Sequence, residues 1–215
     1  MDLSETTARL REELDAKTEA RDLGLNASRQ AIRACGNAIR ALHRYETDNA
    51  TALIEEAKTH LDQARTALAT HPDMLYAGFV HDAEKEFAEA RITFALITDA
   101  EFPTPQELSV TNAAFLKGMA ESIGEMRRHI LDLMRKGELK RCEDLLGAID
   151  DMYYVLVSMD YPDGITHGLR RLTDVARSII ERTRGDFTIS SIQSSLHAAL
   201  EAHGDRLDDG PAPST

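Results

Sequence analysis

Apolar residues recur at every third or fourth position along most of the chain, which is the spacing of an amphipathic α-helix. The first predicted helix is one of about 40 residues, or two nearly collinear ones. The predicted helices cover about 5–45, 50–70, 75–96, 112–135, 139–159, 169–184 and 188–203. No segment shows the alternation of a half-buried strand. The pattern therefore predicts an all-α protein, a single-domain bundle of about six to seven helices.

Turn-forming residues mark the boundaries between the predicted helices. Pro72 ends the second helix, and the segment Glu101-Phe102-Pro103-Thr104-Pro105 ends the third, because proline breaks the backbone hydrogen bonding of a helix. Gly185-Asp186 is expected to end the helix over 169–184, which leaves 188–203 as a separate final helix. We therefore expect one helical domain over 1–203 and a disordered tail over 204–215.

The helix predicted over 75–96 organises the rest of the bundle. Glu86 and Glu89 lie on an arc that borders its apolar stripe, so two carboxylates three residues apart lie beside the core. Acidic residues on amphipathic helices are usually solvated, but this pair is also placed to share a metal ion. The stripe consists of Tyr76, Phe79, Val80, Ala83, Phe87, Ala90, Phe94 and Ile97, and the outer face holds Glu84, Lys85 and Arg91.

Two later helices carry further polar candidates. Glu125 and His129 are one turn apart beside the core stripe of the helix over 112–135. His129 is expected on the surface or in a hydrogen bond rather than as a catalytic base. Asp150 and Asp151 are adjacent within the next helix. Because Asp is a poor residue for a helix interior, this pair indicates that at least one of them has another role.

A basic surface is predicted on the first helix. Arg29, Arg33, Arg40 and Arg44 fall within an arc of roughly 60° when the helix is viewed along its axis. Such a stripe can follow the phosphates of a nucleic acid. The alternative is a solvated face whose arginines form salt bridges with a neighbouring helix.

Composition narrows the possible partners and location. The formal net charge of −12 opposes indiscriminate binding to nucleic acid, although it leaves room for a local basic stripe. An acidic chain with more Arg than Lys indicates a salty cytoplasm and hence a halophilic organism.

Because no apolar run approaches the roughly 20 residues of a membrane span and no signal peptide is evident, we expect a cytoplasmic protein without a membrane partner. Cys35 and Cys142 have no companion at ligand spacing, so both are expected as buried apolar residues.

Four segments also carry a resemblance to a known protein family. They are Ala38-Ile39-Arg40-Ala41-Leu42-His43-Arg44, Lys85-Glu86-Phe87-Ala88-Glu89-Ala90, Phe115-Leu116-Lys117-Gly118-Met119-Ala120 and Gly124-Glu125-Met126-Arg127-Arg128. In their order and spacing they resemble the translin and translin-associated factor X (TRAX) family of all-helical nucleic-acid-binding proteins. The resemblance extends over roughly residues 10–188.

The resemblance implies a particular set of site residues. TRAX-type chains carry two helix glutamates and a later aspartate that form a Mg²⁺-dependent endoribonuclease site. The glutamates correspond to Glu86 and Glu89. The aspartate corresponds to Asp151, or to Asp150 in the alternative register, because Met152-Tyr153 stands where the family has Gly-Phe. Glu125 resembles a further acidic position and is expected either as a metal ligand or as a partner of one.

The resemblance implies a metal-dependent endoribonuclease that acts on single-stranded RNA. Its catalytic residues are then Glu86, Glu89 and Asp151, which also bind the metal, with Glu125 as the further candidate ligand. Its cofactor is Mg²⁺, or Mn²⁺ in its place, because hard cations prefer carboxylate oxygens. Family members work as closed multimers, so we expect a homo-oligomer of about six to eight subunits. The alternative is a translin-like protein that binds single-stranded RNA or DNA without cutting it. A helical scaffold with no nucleic-acid role would leave the resemblance unexplained.

Overall fold

The computed structural model describes residues 3–208, and these form nine helices and no strand. The prediction of an all-α protein is therefore confirmed for this part of the chain. None of these helices is both long enough and apolar enough to span a membrane. In chain order the helices are α1 (Ser4–His43), α2 (Thr47–Leu68), α3 (Pro72–Leu75), α4 (Gly78–Thr98), α5 (Pro105–Leu108), α6 (Asn112–Lys136), α7 (Leu139–Ser158), α8 (Asp163–Thr166) and α9 (Leu169–Asp208).

The first predicted helix is a single one. α1 runs without interruption for 40 residues and folds back onto α2 through a short turn at Arg44, Tyr45 and Glu46. Gly24 does not break it but allows the two helices to approach closely, since a Cβ there would lie 2.7 Å from the side chain of Leu68. Glycine costs roughly 1 kcal/mol in a helix, and here close packing offsets that cost.

α4 lies at the centre of the bundle and packs against α1, α2 and α6. Much of the predicted apolar stripe is buried, including Val80, Ala83, Phe87 and Ala90. The helix begins at Gly78 and not at about residue 75 as predicted, because Pro72–Leu75 form the separate short helix α3. Tyr76 lies between α3 and α4 and is 76% exposed, so it does not belong to the core.

α6, α7 and α9 form the other half of the core. α6 packs against α7 and α9 as well as against α4. The buried residues of α6 and α7 follow the predicted helical period, and both free cysteines are buried as expected. Large side chains that are almost completely buried include Ile123, Met126, Ile130, Leu145, Ile149 and Leu156.

The predicted break at Gly185-Asp186 is wrong. α9 continues through both residues as far as Asp208, past the predicted domain end at residue 203. A mid-helix glycine is tolerated at a cost of roughly 1 kcal/mol, and the carboxylate of Asp186 is held by Arg127 of α6 at 2.8 Å. The rest of the predicted tail, residues 209–215, lies outside the described residues.

Candidate metal centre

α4 and α6 cross with their backbones in contact at Gly118. A Cβ at this position would lie 2.7 Å from the carbonyl oxygen of Lys85 and 2.8 Å from the amide nitrogen of Glu89. Any residue with a side chain would push the two helices apart. Since Glu121 and Glu125 follow Gly118 at helical spacing, this close approach brings carboxylates of α6 to those of α4.

Three glutamates meet at this crossing. Glu86 and Glu89 of α4 and Glu121 of α6 each offer a carboxylate oxygen, and these oxygens all lie within 4.8 Å of one another. We call them the glutamate cluster. Glu121 is not among the site residues predicted from the sequence. The signal for it was its place one turn before Glu125, on the same face of α6.

Glu89 is the most strongly perturbed carboxylate of the cluster. Its side chain is only 8% exposed, and no hydrogen bond or ion pair to it occurs among the described residues. Burial, followed by the charges of Glu86 and Glu121, raises its pKa to about 8. The ionised form of Glu89 therefore needs a cation close by, and otherwise the group keeps its proton at neutral pH.

Lys85 provides a cation at the edge of the cluster. Its Nζ lies 2.9 Å from Oε1 of Glu86 and also donates to Glu121, so the ammonium joins α4 to α6. Burial opposes the charged ammonium, but the hydrogen bonds to Glu121 and Glu86 outweigh it and raise the pKa of Lys85 above its ordinary value.

Glu125 lies beside the cluster and is held by the end of α1. Nε2 of His43 is 2.5 Å from Oε2 of Glu125, and the His43 side chain is only 2% exposed. The hydrogen bond from His43 lowers the pKa of Glu125, so Glu125 stays ionised at neutral pH. Its charge contributes to the raised pKa of Glu89. Glu125 is thus a neighbour of the cluster whose carboxylate is already bound.

The two candidate aspartates of α7 lie elsewhere. Asp150 pairs with Arg184 of α9, and Asp151 is exposed to solvent. α7 packs against α6 and α9, and within the described part of the chain neither aspartate belongs to the glutamate cluster. The structure therefore brings together the predicted pair Glu86 and Glu89, but it does not bring Asp151 to them.

Two other polar residues differ from their predicted positions. Glu84 was assigned to the outer face of its helix but is only 6% exposed. It binds Arg65 of α2 at 3.1 Å and the backbone and side chain of Thr111 at 3.0 Å, because α2 and the start of α6 cover this side of α4. His129 was expected at the surface or in a hydrogen bond. It is 4% exposed and its ring lies 6.1 Å from that of Tyr45.

The arginine stripe of α1 is exposed along its length. Arg44 pairs with Glu46 at 2.8 Å, and Arg40 donates to Asn37, whereas Arg29 and Arg33 have no partner among the described residues. At about 100° per residue, the four arginines lie roughly 120° to 180° around α1 from Cys35. Cys35 is completely buried in the core that also contains Phe87 of α4. The stripe therefore faces away from the core of the bundle.

The chain is similar to known proteins in sequence and in fold. No family model matches the chain. The chain is 30% identical over 172 residues to an uncharacterised protein of Methanocaldococcus jannaschii, MJ0175, and the match covers 79% of this chain and 76% of that protein.

The similar solved structures are those of archaeal and fungal C3PO proteins. The crystal structure of AfC3PO superposes with a TM-score of 0.78 at 32% identity, covering 90% of this chain and 98% of that one. AfC3PO in complex with duplex RNA gives 0.77 at 31%, with the same coverage of both chains. The apo structure of NeC3PO, at 19% identity, 86% and 96% coverage and a TM-score of 0.77, agrees in fold. The chain therefore belongs to the translin/TRAX family of C3PO proteins.

Proposed function

We propose that this protein is a TRAX-like, metal-dependent endoribonuclease whose metal site is the glutamate cluster. The observation that carries the proposal is Glu89, a carboxylate that is buried, unpaired and flanked by two further carboxylates. Ionisation of all three groups is costly without a cation, because like charges would then lie together away from water. A divalent cation held by Glu86, Glu89 and Glu121 would offset that cost.

The donor set suits Mg²⁺ or Mn²⁺. Both are ions that take carboxylate oxygens, and Mg²⁺ keeps several of its waters, so three carboxylates from two helices are sufficient without a complete protein cage. A metal held there would supply an activated water and would offset charge that develops on a phosphate. Glu86, Glu89 and Glu121 would hold the ion, while Glu125, fixed by His43, would accept a hydrogen bond from a group beside it.

The identity of the third carboxylate distinguishes two versions of this site. The cluster favours Glu121, whereas the sequence resemblance favours Asp151. We propose Glu121 as the third ligand, and Asp151 is the alternative. Asp151 lies outside the cluster of its own chain, so it would need another subunit or a rearrangement of α7 to reach the metal.

RNA is the proposed substrate. The complex of AfC3PO with duplex RNA supports RNA as the class of ligand, and a preference for single strands stays a prediction, as does binding of single-stranded DNA. The exposed Arg29 and Arg33 are free to contact phosphates. Arg128 is also exposed and lies close enough to lower the pKa of Glu125, after His43, which places a basic residue near the cluster itself.

The proposed assembly is a homo-oligomer of about six to eight subunits. It is supported by apolar side chains that the single chain leaves uncovered at two helix ends. These are Leu3 directly before α1, Leu10 and Leu14 on α1, and Ile189, Ile192, Leu196 and Leu200 on α9. Light scattering coupled to size exclusion at high salt should return a multiple of the monomer mass, and a monomer mass would refute the assembly.

The second candidate is an RNA-binding protein that does not cut. Lys85 favours it, because its ammonium already neutralises part of the charge of Glu86 and Glu121 and could make the cluster a purely structural ion network. In that case neither Mg²⁺ nor Mn²⁺ would bind.

The experiment that separates the candidates is single-turnover cleavage of a labelled single-stranded RNA, with filter binding in parallel. The parent should cut in Mg²⁺ and stop when EDTA is added. Glu89→Gln and Glu86→Gln keep side-chain size but lose the anionic oxygen, and should cut roughly 10²-fold more slowly while still binding RNA. Asp132→Asn on α6, outside the cluster, is the control and should cut like the parent. A parent that never cuts in Mg²⁺ or Mn²⁺ would leave the non-cutting binder.

A further inference from the structure

Lys85 is the cation that the glutamate cluster holds within its own chain. It precedes Glu86 directly on α4, yet its ammonium turns to contact both Glu86 and Glu121. The Lys85 side chain is 13% exposed, so it is largely withdrawn from water but has a route to the surface. Among the described residues no other basic group pairs with Glu86, Glu89 or Glu121.

The ammonium and a divalent ion require the same oxygens. Glu86 and Glu121 are two of the three ligands of the proposed metal site and also the two partners of Lys85. Two cations that share these carboxylates would lie within a few ångströms of each other and repel. Lysine has a compact charge on a flexible four-carbon stem, so it can leave the cluster without a change in the backbone of α4.

We propose that Lys85 is a resident counter-cation that exchanges with the divalent ion, so that the ammonium contacts the cluster only while the metal is absent. This inference rests on the proposed metal site. Lys85 stabilises the three neighbouring carboxylates in the metal-free protein. It also sets a minimum affinity for the metal, because a divalent ion enters only if it binds the carboxylates more strongly than the ammonium does.

The first test compares the Mn²⁺ affinities of the parent and of Lys85→Met by calorimetry. Methionine keeps an unbranched stem and removes the competing charge. The variant should bind Mn²⁺ at least roughly tenfold more tightly. A neighbouring charge at this distance shifts the pKa of a carboxyl group by about one unit or more, which is a tenfold change in its affinity for a proton, and we expect an effect of the same size on the metal. Lys58→Met, an exposed lysine on α2, is the matched control and should leave the affinity unchanged.

The second test follows the amine of Lys85 directly. The parent is acylated briefly with an amine reagent, with and without saturating Mn²⁺, and the modification of each lysine is measured by mass spectrometry. Lys85 should be protected without metal and several-fold more reactive with it, while Lys58 reacts equally in both. This reactivity would not change if Lys85 were only a structural ion-pair partner.

The outcomes separate the exchange from the metal site. Tighter binding by Lys85→Met together with metal-dependent exposure of Lys85 supports the exchange. Mn²⁺ binding by both chains with equal affinity, or a Lys85 that stays protected when Mn²⁺ is bound, overturns the exchange but leaves the metal site. Absence of Mn²⁺ binding by both chains overturns the metal site and the exchange with it.

Discussion

The crossing of α4 and α6 and the outer face of α1 both carry charges, but their surroundings differ. At the crossing, Glu89 is buried and unpaired, and Lys85, His43 and Glu125 are held by specific partners. On α1, the side chains of Arg29 and Arg33 are exposed and without partners among the described residues. Burial makes charge costly, so the first arrangement calls for a functional explanation, whereas the second is also common on ordinary solvated helices.

The largest expected effect is at the helix crossing. Gly118→Val should lower the free energy of unfolding by roughly 3 kcal/mol, because the new side chain would collide with the backbone of α4. The same separation of helices should abolish Mn²⁺ binding. Gly147→Ala on α7 is the control, since a Cβ there meets nothing within 4 Å and alanine favours the helix. Urea unfolding followed by circular dichroism measures the stability of the two variants, and calorimetry measures their affinity for Mn²⁺. A Gly118→Val chain as stable as the parent would refute the close contact.

The charge on Glu89 predicts a pH dependence of stability in the metal-free protein. The folded-state pKa is about 8, against an ordinary value of 4.5, so the folded chain retains a proton that the unfolded chain loses between these pH values. Stability should therefore fall as pH rises from about 4.5 to about 8, by up to roughly 1.4 kcal/mol per pH unit from this group.

Glu89→Gln should remove this dependence. In EDTA it should be more stable than the parent by up to roughly 4 kcal/mol at pH 7.5 and by up to roughly 1.4 kcal/mol at pH 5.5. The gain grows with pH because the unfolded parent loses this proton above about pH 4.5, whereas the folded parent keeps it to about pH 8. Glu55→Gln on the exposed face of α2 serves as control. Equal urea midpoints for parent and Glu89→Gln at both pH values would show that Glu89 is not perturbed.

The smallest effect is expected on the arginine stripe. If Arg29 and Arg33 contact phosphates, replacing both by alanine should reduce the slope of log K against log salt for single-stranded RNA by roughly one to two units. Replacing the exposed Arg171 and Arg182 of α9 gives a matched loss of charge at another surface. If both double variants change the slope equally, the stripe has no particular role and acts only through net charge.

The sequence predicted those features that depend on one helix at a time. Periodicity located α2, α6 and α7 and most of the core, and the spacing of Glu86 and Glu89 identified half of the crossing. The third carboxylate depends on how two helices pack. Glu121 joins the pair only because Gly118 allows α6 to lie against the backbone of α4. A helical wheel for α4 alone likewise could not show that Arg65 of α2 would bury Glu84.

Local signals failed where tertiary contacts opposed them. Gly185-Asp186 has the composition of a helix end, but the ion pair between Asp186 and Arg127 holds this segment against α6, and α9 continues. The choice of Asp151 over Asp150 came from the resemblance in sequence. That choice depends on how α7 is aligned with the family, and Met152-Tyr153 in place of the Gly-Phe pair left both registers open.

The most direct test of the glutamate cluster as the catalytic metal site compares Glu121→Gln with Asp151→Asn in single-turnover cleavage of single-stranded RNA with Mg²⁺. Asp150→Asn accompanies them as the register control. We expect Glu121→Gln to cut roughly 10²-fold more slowly than the parent, with RNA binding retained, and both aspartate variants to cut at the parental rate. A Glu121→Gln that cuts like the parent, or an inactive Asp151→Asn beside an active Glu121→Gln, would contradict the glutamate cluster as the metal site of the enzyme.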